Sequence, residues 1–420
     1  SFPKLMEVLM YGENGIFGSP LVTSLGTLFY FLVFGTFFSN CGGGGVLIDG
    51  GMKLSDKTVG GPAKAAVISS GLLGMVSGSA IANVSTTGVL TIPLMKKTGY
   101  DPEEAAAVES VASTGGQIMP PIMGAAAFLM AEYMGVTYGQ VTLWAILPAV
   151  LYFGGIFISV HLEAKKLGLK GIPRSELPRF KYLMRNVYLL LPLVFLIWVV
   201  TANIRSLQFS AAIAILISIA VSLVGTIRDA SAEVKETKTG SVAGITAKKT
   251  GRMILDSLEA GGKGSITVAV ACAMAGMIAG CITVTGLASK LISGVIAISS
   301  AIPNPTLSLL LALFLTMLCC IVLGMGVPTT ANYIIMATTC APILASGMDL
   351  NLMAAHMFCF YFGIVADITP PVALAAYAGS AIAKSDPMKT GVNATKLAIA
   401  AFIVPYIFAY SPALLFENVS

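Results

Sequence analysis

Residues 64–97 read KAAVISSGLLGMVSGSAIANVSTTGVLTIPLMKK, an uncharged run over 65–95 closed by Lys64 on one side and by Lys96 and Lys97 on the other. As a single helix the run would be about 46 Å long, well beyond the ~30 Å hydrocarbon core of a bilayer. It is too short for two full spans and a turn. The length and the flanking lysines predict a re-entrant hairpin over 65–95 that enters and leaves on one face, with its tip near Gly78. Basic residues at span ends are retained in the cytoplasm, so that face is the inner one.

The remainder of the chain fits the same setting. Apolar residues make up 56% of the 420 and charged residues 11%, where soluble domains carry roughly a quarter charged residues. Residues 186–204 and 206–227 carry no formal charge, and from Leu291 to Ala383 the only formal charges are Asp349 and Asp367. Crossings are expected at 20–40, 102–134, 141–160, 187–203, 207–227, 265–289, 352–383 and 397–416, with a second hairpin at 306–346 read by symmetry with the first. Place Asp49–Lys64, Lys96–Glu104, Lys165–Arg185, Arg228–Lys263 and Lys384–Lys396 inside. Of the 25 Lys and Arg, only Lys4, Arg205 and Lys290 then fall elsewhere. That distribution says more than the net charge of +5.

Residues 1–19 read as an amphipathic or connecting segment. The polar stretch Arg228–Lys263 reads as a solvated cytoplasmic connector, with room for a surface-lying amphipathic helix near Arg252–Glu259. The seven cysteines lack metal or redox spacing and read as packing residues. His161 and His356 are too far apart to suggest a ligand cluster, and no nucleotide-binding or nucleophile-elbow motif is present. No cofactor, no enzymatic activity, no nucleic-acid partner and no metal other than sodium is expected. The chain begins at Ser1 with no cleavable signal pattern before its first span, as expected of one part of a longer polypeptide.

The chain also repeats itself. Ala82-Asn83-Val84 is answered by Ala331-Asn332-Tyr333, Gly99-Tyr100-Asp101 by Gly347-Met348-Asp349, and Gln117-Ile118-Met119-Pro120-Pro121 by Asp367-Ile368-Thr369-Pro370-Pro371. Each copy reads crossing, hairpin, broken crossing, crossing. The first repeat, 20–170, contains hairpin 65–95 and broken helix 102–134; the second, 265–420, contains hairpin 306–346 and broken helix 352–383. Residues 171–264 link them through a two-span hairpin and the connector. The first copy starts outside and the second inside, so the fold class is all-α integral membrane with two inverted-topology repeats. Inverted repeats with broken helices are a transporter signature, with the site where the breaks meet.

Each double proline removes two helical N–H donors and drives the residue before it out of helical geometry. Unwound carbonyls at that depth coordinate cations, while the N-termini of the half-helices favour anions. Hydroxyls and amides at the tips, 77–83 and 324–332, supply further oxygen. Symmetric placement makes Ser79, Asn83, Thr330 and Asn332 candidate substrate contacts. Asp367 stands before its break where the other half has Gln117, and an intramembrane acid reads as functional, here for a coupling ion or a proton, with a structural pair or a helix cap as the alternative. Glu109 and Glu132 lie nearer span ends, and solvated and functional roles both remain open for them.

At these residues the chain resembles the large membrane subunit of TRAP (tripartite ATP-independent periplasmic) transporters. Gly74-Met75-Val76-Ser77-Gly78-Ser79-Ala80-Ile81-Ala82-Asn83 is similar to that family's first hairpin, and Ser113-Thr114-Gly115-Gly116-Gln117-Ile118-Met119-Pro120-Pro121 to its first broken helix. The wording is closest to the fused-permease branch that works with TAXI-type binding proteins. The resemblance implies import of an organic, carboxylate-type anion handed over by a periplasmic TAXI-type binding protein. It also implies an elevator motion, sodium coupling with the proton as alternative, and residence in a bacterial or archaeal cytoplasmic membrane. Carried onto this chain, it adds Gln117 to the substrate contacts. It assigns coupling-ion roles to Ser77, Gly116, Gly324, Gly326, Thr329, Asp367 and Thr369. The family's four-span small membrane subunit is absent, so it is expected as a separate chain or outside these residues. A dicarboxylate/sodium symporter working without a binding protein, and more remotely an ion channel, are the alternatives.

Overall fold

The computed structural model describes residues 2–12, 15–55, 58–169, 171–172, 177–178, 180–202, 204–237 and 241–417. Lys57, Lys170, Arg174, Arg179 and Lys238, used above to assign faces, lie outside them. Every regular element among the described residues is helical. A lipid-embedded chain requires this, because a helix satisfies its own backbone donors and acceptors where no water is available.

Among the described residues, six helices are long and apolar enough to cross a bilayer: Ser19–Asn40, Tyr138–Lys166, Phe180–Thr201, Leu207–Lys235, Val242–Thr285 and Pro305–Gly324. The first, second and fourth contain the crossings expected at 20–40, 141–160 and 207–227; the third covers the one expected at 187–203 as far as Thr201. The expected crossing 265–289 ends earlier, because Gly286 adopts φ +65° and closes the helix at Thr285. A separate helix, Leu287–Ser299, follows. At 397–416 the chain forms Pro387–Leu397 and Ile399–Tyr410, bent by 41°.

The connector departs from expectation. Arg252–Glu259 forms no separate surface-lying helix, because it lies within the unbroken helix Val242–Thr285. That helix has 44 residues, roughly 66 Å at the α-helical rise, and overshoots the hydrocarbon core. Its polar end is laced by exposed ion pairs, Lys249–Glu233 at 2.6 Å and Lys263–Glu259 at 2.5 Å. The Lys263 ammonium holds the Glu259 carboxyl below its usual range. The Lys263–Glu259 pair, at i,i+4, supports the solvated end of the helix, while Lys249–Glu233 ties it to Leu207–Thr237.

Helix pairs occupy both stretches expected as hairpins. Gly61–Ser77 and Ala80–Lys97 meet at Gly78, whose φ of +65° suits glycine. Pro305–Gly324 turns through Gly326, φ +76°, into Thr329–Thr339 and the short Ala341–Ala345. The broken crossings are Pro102–Gly116 with Ala126–Met134, and Leu352–Val365 with a 3₁₀ turn Ala366–Ile368 and Leu374–Ala383. Both double prolines sit in the non-helical gaps. Pro102–Gly116 is buried from Ala105 onward and Leu352–Val365 from Met353 onward, so these half-helices form the centre of the molecule.

Lys64 marks a membrane face in the sequence, yet it is 5% exposed. Its Nζ lies 3.1 Å from His161 Nδ1 and over the Phe157 ring. Topology is therefore better probed from exposed neighbours. Single cysteines at Val59 and Lys97 are expected to react from the same side of the membrane, and one at Ser346 from the other. Opposite reactivity of the first pair would refute a hairpin entering from one face.

Candidate functional site

The two hairpin tips border a cavity of about 560 Å³, within the range of small-molecule sites. Ser77 through Asn83 line it from the first tip, Pro328, Thr329 and Thr330 from the second, and Asp367 from the second broken helix. The far wall comes from two long helices: Thr36 and Ser39 on Ser19–Asn40, and Ala260, Gly261, Gly264 and Thr267 on Val242–Thr285. These helices approach closely, since a Cβ on Gly261 would sit 3.0 Å from Val33 Cα. Thr36 Oγ1 donates to Ser257 O at 2.9 Å and Asn40 Nδ2 to Ser257 Oγ at 2.9 Å.

Two helices start at the cavity. Ala80–Lys97 begins after Ser79, whose Oγ accepts from Ala82 N, and Thr329–Thr339 begins after Pro328 with no side-chain cap. First-turn N–H groups without intrahelical partners, together with the helix dipole, favour an anion there. Among the described residues no Lys, Arg or His lines the cavity, and Asp367 is its only ionisable acid.

Asp367 is the meeting point of the two halves. Its Oδ2 accepts from Thr329 Oγ1 at 3.1 Å. The Gln117 amide lies against its carboxyl without closing a hydrogen bond. Residues that occupy equivalent places in the two repeated motifs thus face each other. Gln117 Oε1, Asn83 Oδ1 and Asn332 Oδ1 are buried oxygens with no hydrogen-bond partner. Buried acceptors are ordinarily satisfied. Neutral amide oxygens and carboxylates are the donor type that hard cations take. Among the described residues, no group of three or more His, Cys, Asp or Glu could hold a metal ion.

The two asparagines do parallel work. Asn83 Nδ2 donates to Ser70 O at 2.7 Å and to Ser113 Oγ at 3.1 Å, and Asn332 Nδ2 to Gly363 O at 3.0 Å. Each ties a hairpin arm to the broken helix beneath it. Asn83 also lines the cavity, while Asn332 does not. Gly116 and Gly324 allow close packing: a Cβ on Gly116 would lie 2.5 Å from Gly74 Cα, and one on Gly324 2.4 Å from Asn332 Nδ2. Of the remaining candidates, Ser77, Ser79, Thr329 and Thr330 line the cavity. Gly326 shapes the second tip, and Thr369 Oγ1 donates to Val365 O at 2.8 Å. Leu at Asn83 or Asn332 is expected to abolish uptake while leaving the spans inserted. Each loses a buried brace worth about 1–3 kcal/mol, readable as a lower melting temperature in detergent.

Thr36, Ser39, Gly264 and Thr267 carried no sequence signal, since small residues within apolar runs are ordinary helix-packing positions. Glu132 accepts from the Thr23 hydroxyl, so its carboxylate is tied to the first long helix. Glu109 is wholly buried rather than solvated.

Long apolar helices, paired helix tips and meeting half-helices mark a multi-pass helical membrane protein with a cavity between the tips. The chain belongs to the family of the tripartite ATP-independent periplasmic transporter DctM component, whose model matches residues 4–419. It is similar to a Haemophilus influenzae protein named as a TRAP transporter large permease, 27% identical over 173 residues, 41% of this chain and 40% of that protein. It is also similar to the uncharacterized y4mL of Sinorhizobium fredii, 31% identical over 136 residues, 28% of this chain and 32% of that protein. The uncharacterized YgiK of Salmonella typhimurium is 24% identical over 199 residues, 46% of this chain and 45% of that protein. The matched regions thus span less than half the length of each of these relatives.

Proposed function

We propose that this chain is the membrane subunit of a secondary transporter that imports an organic carboxylate by sodium symport, receiving it from a periplasmic TAXI-type binding protein. The observation that carries this reading is the charge pattern of the cavity: two helix N-termini, one carboxylate and, among the described residues, no basic side chain. Helix N-termini favour an anion, but Asp367 repels it. A cation between them reverses that repulsion, so anion and cation bind best together. Under this reading Ser79, Thr330 and the first N–H groups after each tip hold the substrate, with Asn83 and Gln117 close by. Asp367, Thr329, Gln117 Oε1 and the orphaned asparagine oxygens hold sodium. The repeated motifs then serve as inverted repeats, and movement of the hairpin tips past the two long helices would constitute an elevator step in the cytoplasmic membrane. A four-span small subunit completes the assembly.

The test is uptake into vesicles across a panel of mono- and dicarboxylates, under imposed sodium or proton gradients, with and without the binding protein. Sodium-driven, binding-protein-dependent accumulation of at least one carboxylate is expected. Accumulation without the binding protein would replace this reading with a self-sufficient symporter. Flux without saturation would replace it with a channel.

A further inference from the structure

The first hairpin encloses a second acidic site, apart from Asp367. Glu109 is 0% exposed. Its Oε1 accepts from Ser70 Oγ at 2.6 Å, from Ser113 Oγ at 3.1 Å and from the Thr87 hydroxyl. Its Oε2 accepts from Thr91 Oγ1 at 2.6 Å. These hydroxyls come from both arms of the hairpin and from the broken helix, and all of them are buried. No Lys, Arg or His among the described residues donates to this carboxylate or forms an ion pair with it. An ionised carboxylate removed from water without a compensating charge is costly even when hydrogen-bonded.

We propose that Glu109, caged by Ser70, Thr87, Thr91 and Ser113, is a proton-binding site whose proton exchanges with water through the first hairpin tip. The cage satisfies either protonation state. When Glu109 is ionised, the four hydroxyls point at it. When a proton adds to one carboxylate oxygen, the new O–H donates to a neighbouring hydroxyl oxygen. The displaced hydroxyls have other acceptors in reach: Thr87 has Asn83 O at 2.8 Å, Thr91 has Thr87 O at 3.1 Å, and Ser70 has Thr87 Oγ1 at 3.0 Å. Hydroxyl rotors accomplish the switch without moving backbone. A sodium ion fits poorly: an ion coordinated at about 2.4 Å holds adjacent oxygens about 3.4 Å apart, and the cage contacts are direct hydrogen bonds. The cage approaches the cavity at Asn83, which lines it and donates Nδ2 to Ser113 Oγ at 3.1 Å, so parting of the first hairpin tip there is what would admit water to the cage.

Other titratable groups leave Glu109 to its cage. Glu103 and Glu104 sit at the start of its own helix, Lys64 on the first hairpin arm, and Lys96 and Lys97 on the second. Tyr138, Tyr152, His161, Glu163, Lys165 and Lys166 lie on Tyr138–Lys166, and His356, Cys359 and Tyr361 on Leu352–Val365. Asp367, Tyr377, Lys389 and Lys396 complete the neighbouring elements. The hydrogen bonds that reach Glu109 come from the four hydroxyls.

Infrared difference spectroscopy of the purified full-length protein reads this directly and needs no substrate, so its outcome is separate from the carboxylate assignment. The expected result is a protonated-carboxyl stretching band that titrates with pH, shifts on transfer to D₂O, and is lost in Glu109→Gln. Glu109→Asp keeps a band, and Asp367→Asn leaves the Glu109 band in place. Thr91→Val keeps the carboxyl but deletes one hydrogen bond, so the band should move in frequency. This second variant decides the matter if Glu109→Gln does not fold. A spectrum without a titrating band, a band unchanged in Glu109→Gln or Thr91→Val, or one that resists D₂O for hours would overturn the proposal.

Discussion

Vesicles carrying Asp367→Asn are expected to lose nearly all accumulation and all dependence on the coupling ion, with the protein still inserted. The carboxylate is buried at the cavity edge and accepts from Thr329 Oγ1, so the amide preserves shape and hydrogen-bonding capacity while removing the charge. A carboxylate and a cation ~4 Å apart at an effective dielectric of about 20 gain around 4 kcal/mol before desolvation. That corresponds to roughly a thousandfold in ion affinity. At the sodium concentrations that saturate the parent protein, the residual uptake of the variant should then not respond to sodium. Full sodium-driven uptake by the variant at the parent's sodium concentration would refute the assignment of this residue.

Gly116→Leu should act on folding itself. A Cβ at this position would meet Gly74 Cα at 2.5 Å, Gly74 C at 2.7 Å and Met75 N at 3.1 Å, all backbone. Backbone cannot swing aside as a long side chain can, so the hairpin must lift from the broken helix. Overpacking of this kind costs about 1–3 kcal/mol, and the lifted arm also strains the Asn83 bonds to Ser70 and Ser113. A melting temperature several degrees lower is expected in detergent, together with loss of uptake. Gly154→Ala is the control, because nothing lies within 4 Å of its added Cβ. An unchanged melting temperature in Gly116→Leu would mean that the two backbones are not in contact.

The hairpins and the breaks were legible in the sequence because charge and proline are loud signals there. Lysines at both ends of 65–95 bounded the first hairpin, and double prolines at 120–121 and 370–371 located both gaps. Asp367 stood out because it interrupts a long uncharged stretch. The far wall of the cavity was silent, since Gly261, Gly264 and Thr267 look like any small residues in an apolar helix. Glu109 was ambiguous for another reason. Its four donors come from three segments, and only their convergence in space separates a caged acid from a solvated one. Lys64 misled in the opposite direction: a terminal lysine ordinarily seeks water, and here His161 and Phe157 hold it inside. The connector was read as solvated from its charges, but those charges alternate at helical spacing and extend Val242–Thr285.

The wall that faces the tips carries Ala260, Gly261, Gly264, Thr267 and Ala271. Such side chains have few rotamers or none, so a surface sliding across them unlocks no interdigitated neighbours and forfeits little side-chain entropy. In the elevator step proposed above, this wall is a smooth rail, and the resistance to travel along it is set by the polar groups on the tips. That proposal places the barrier to motion in the hands of the cargo: whatever neutralises Asp367 and the two helix ends also frees the tips to pass.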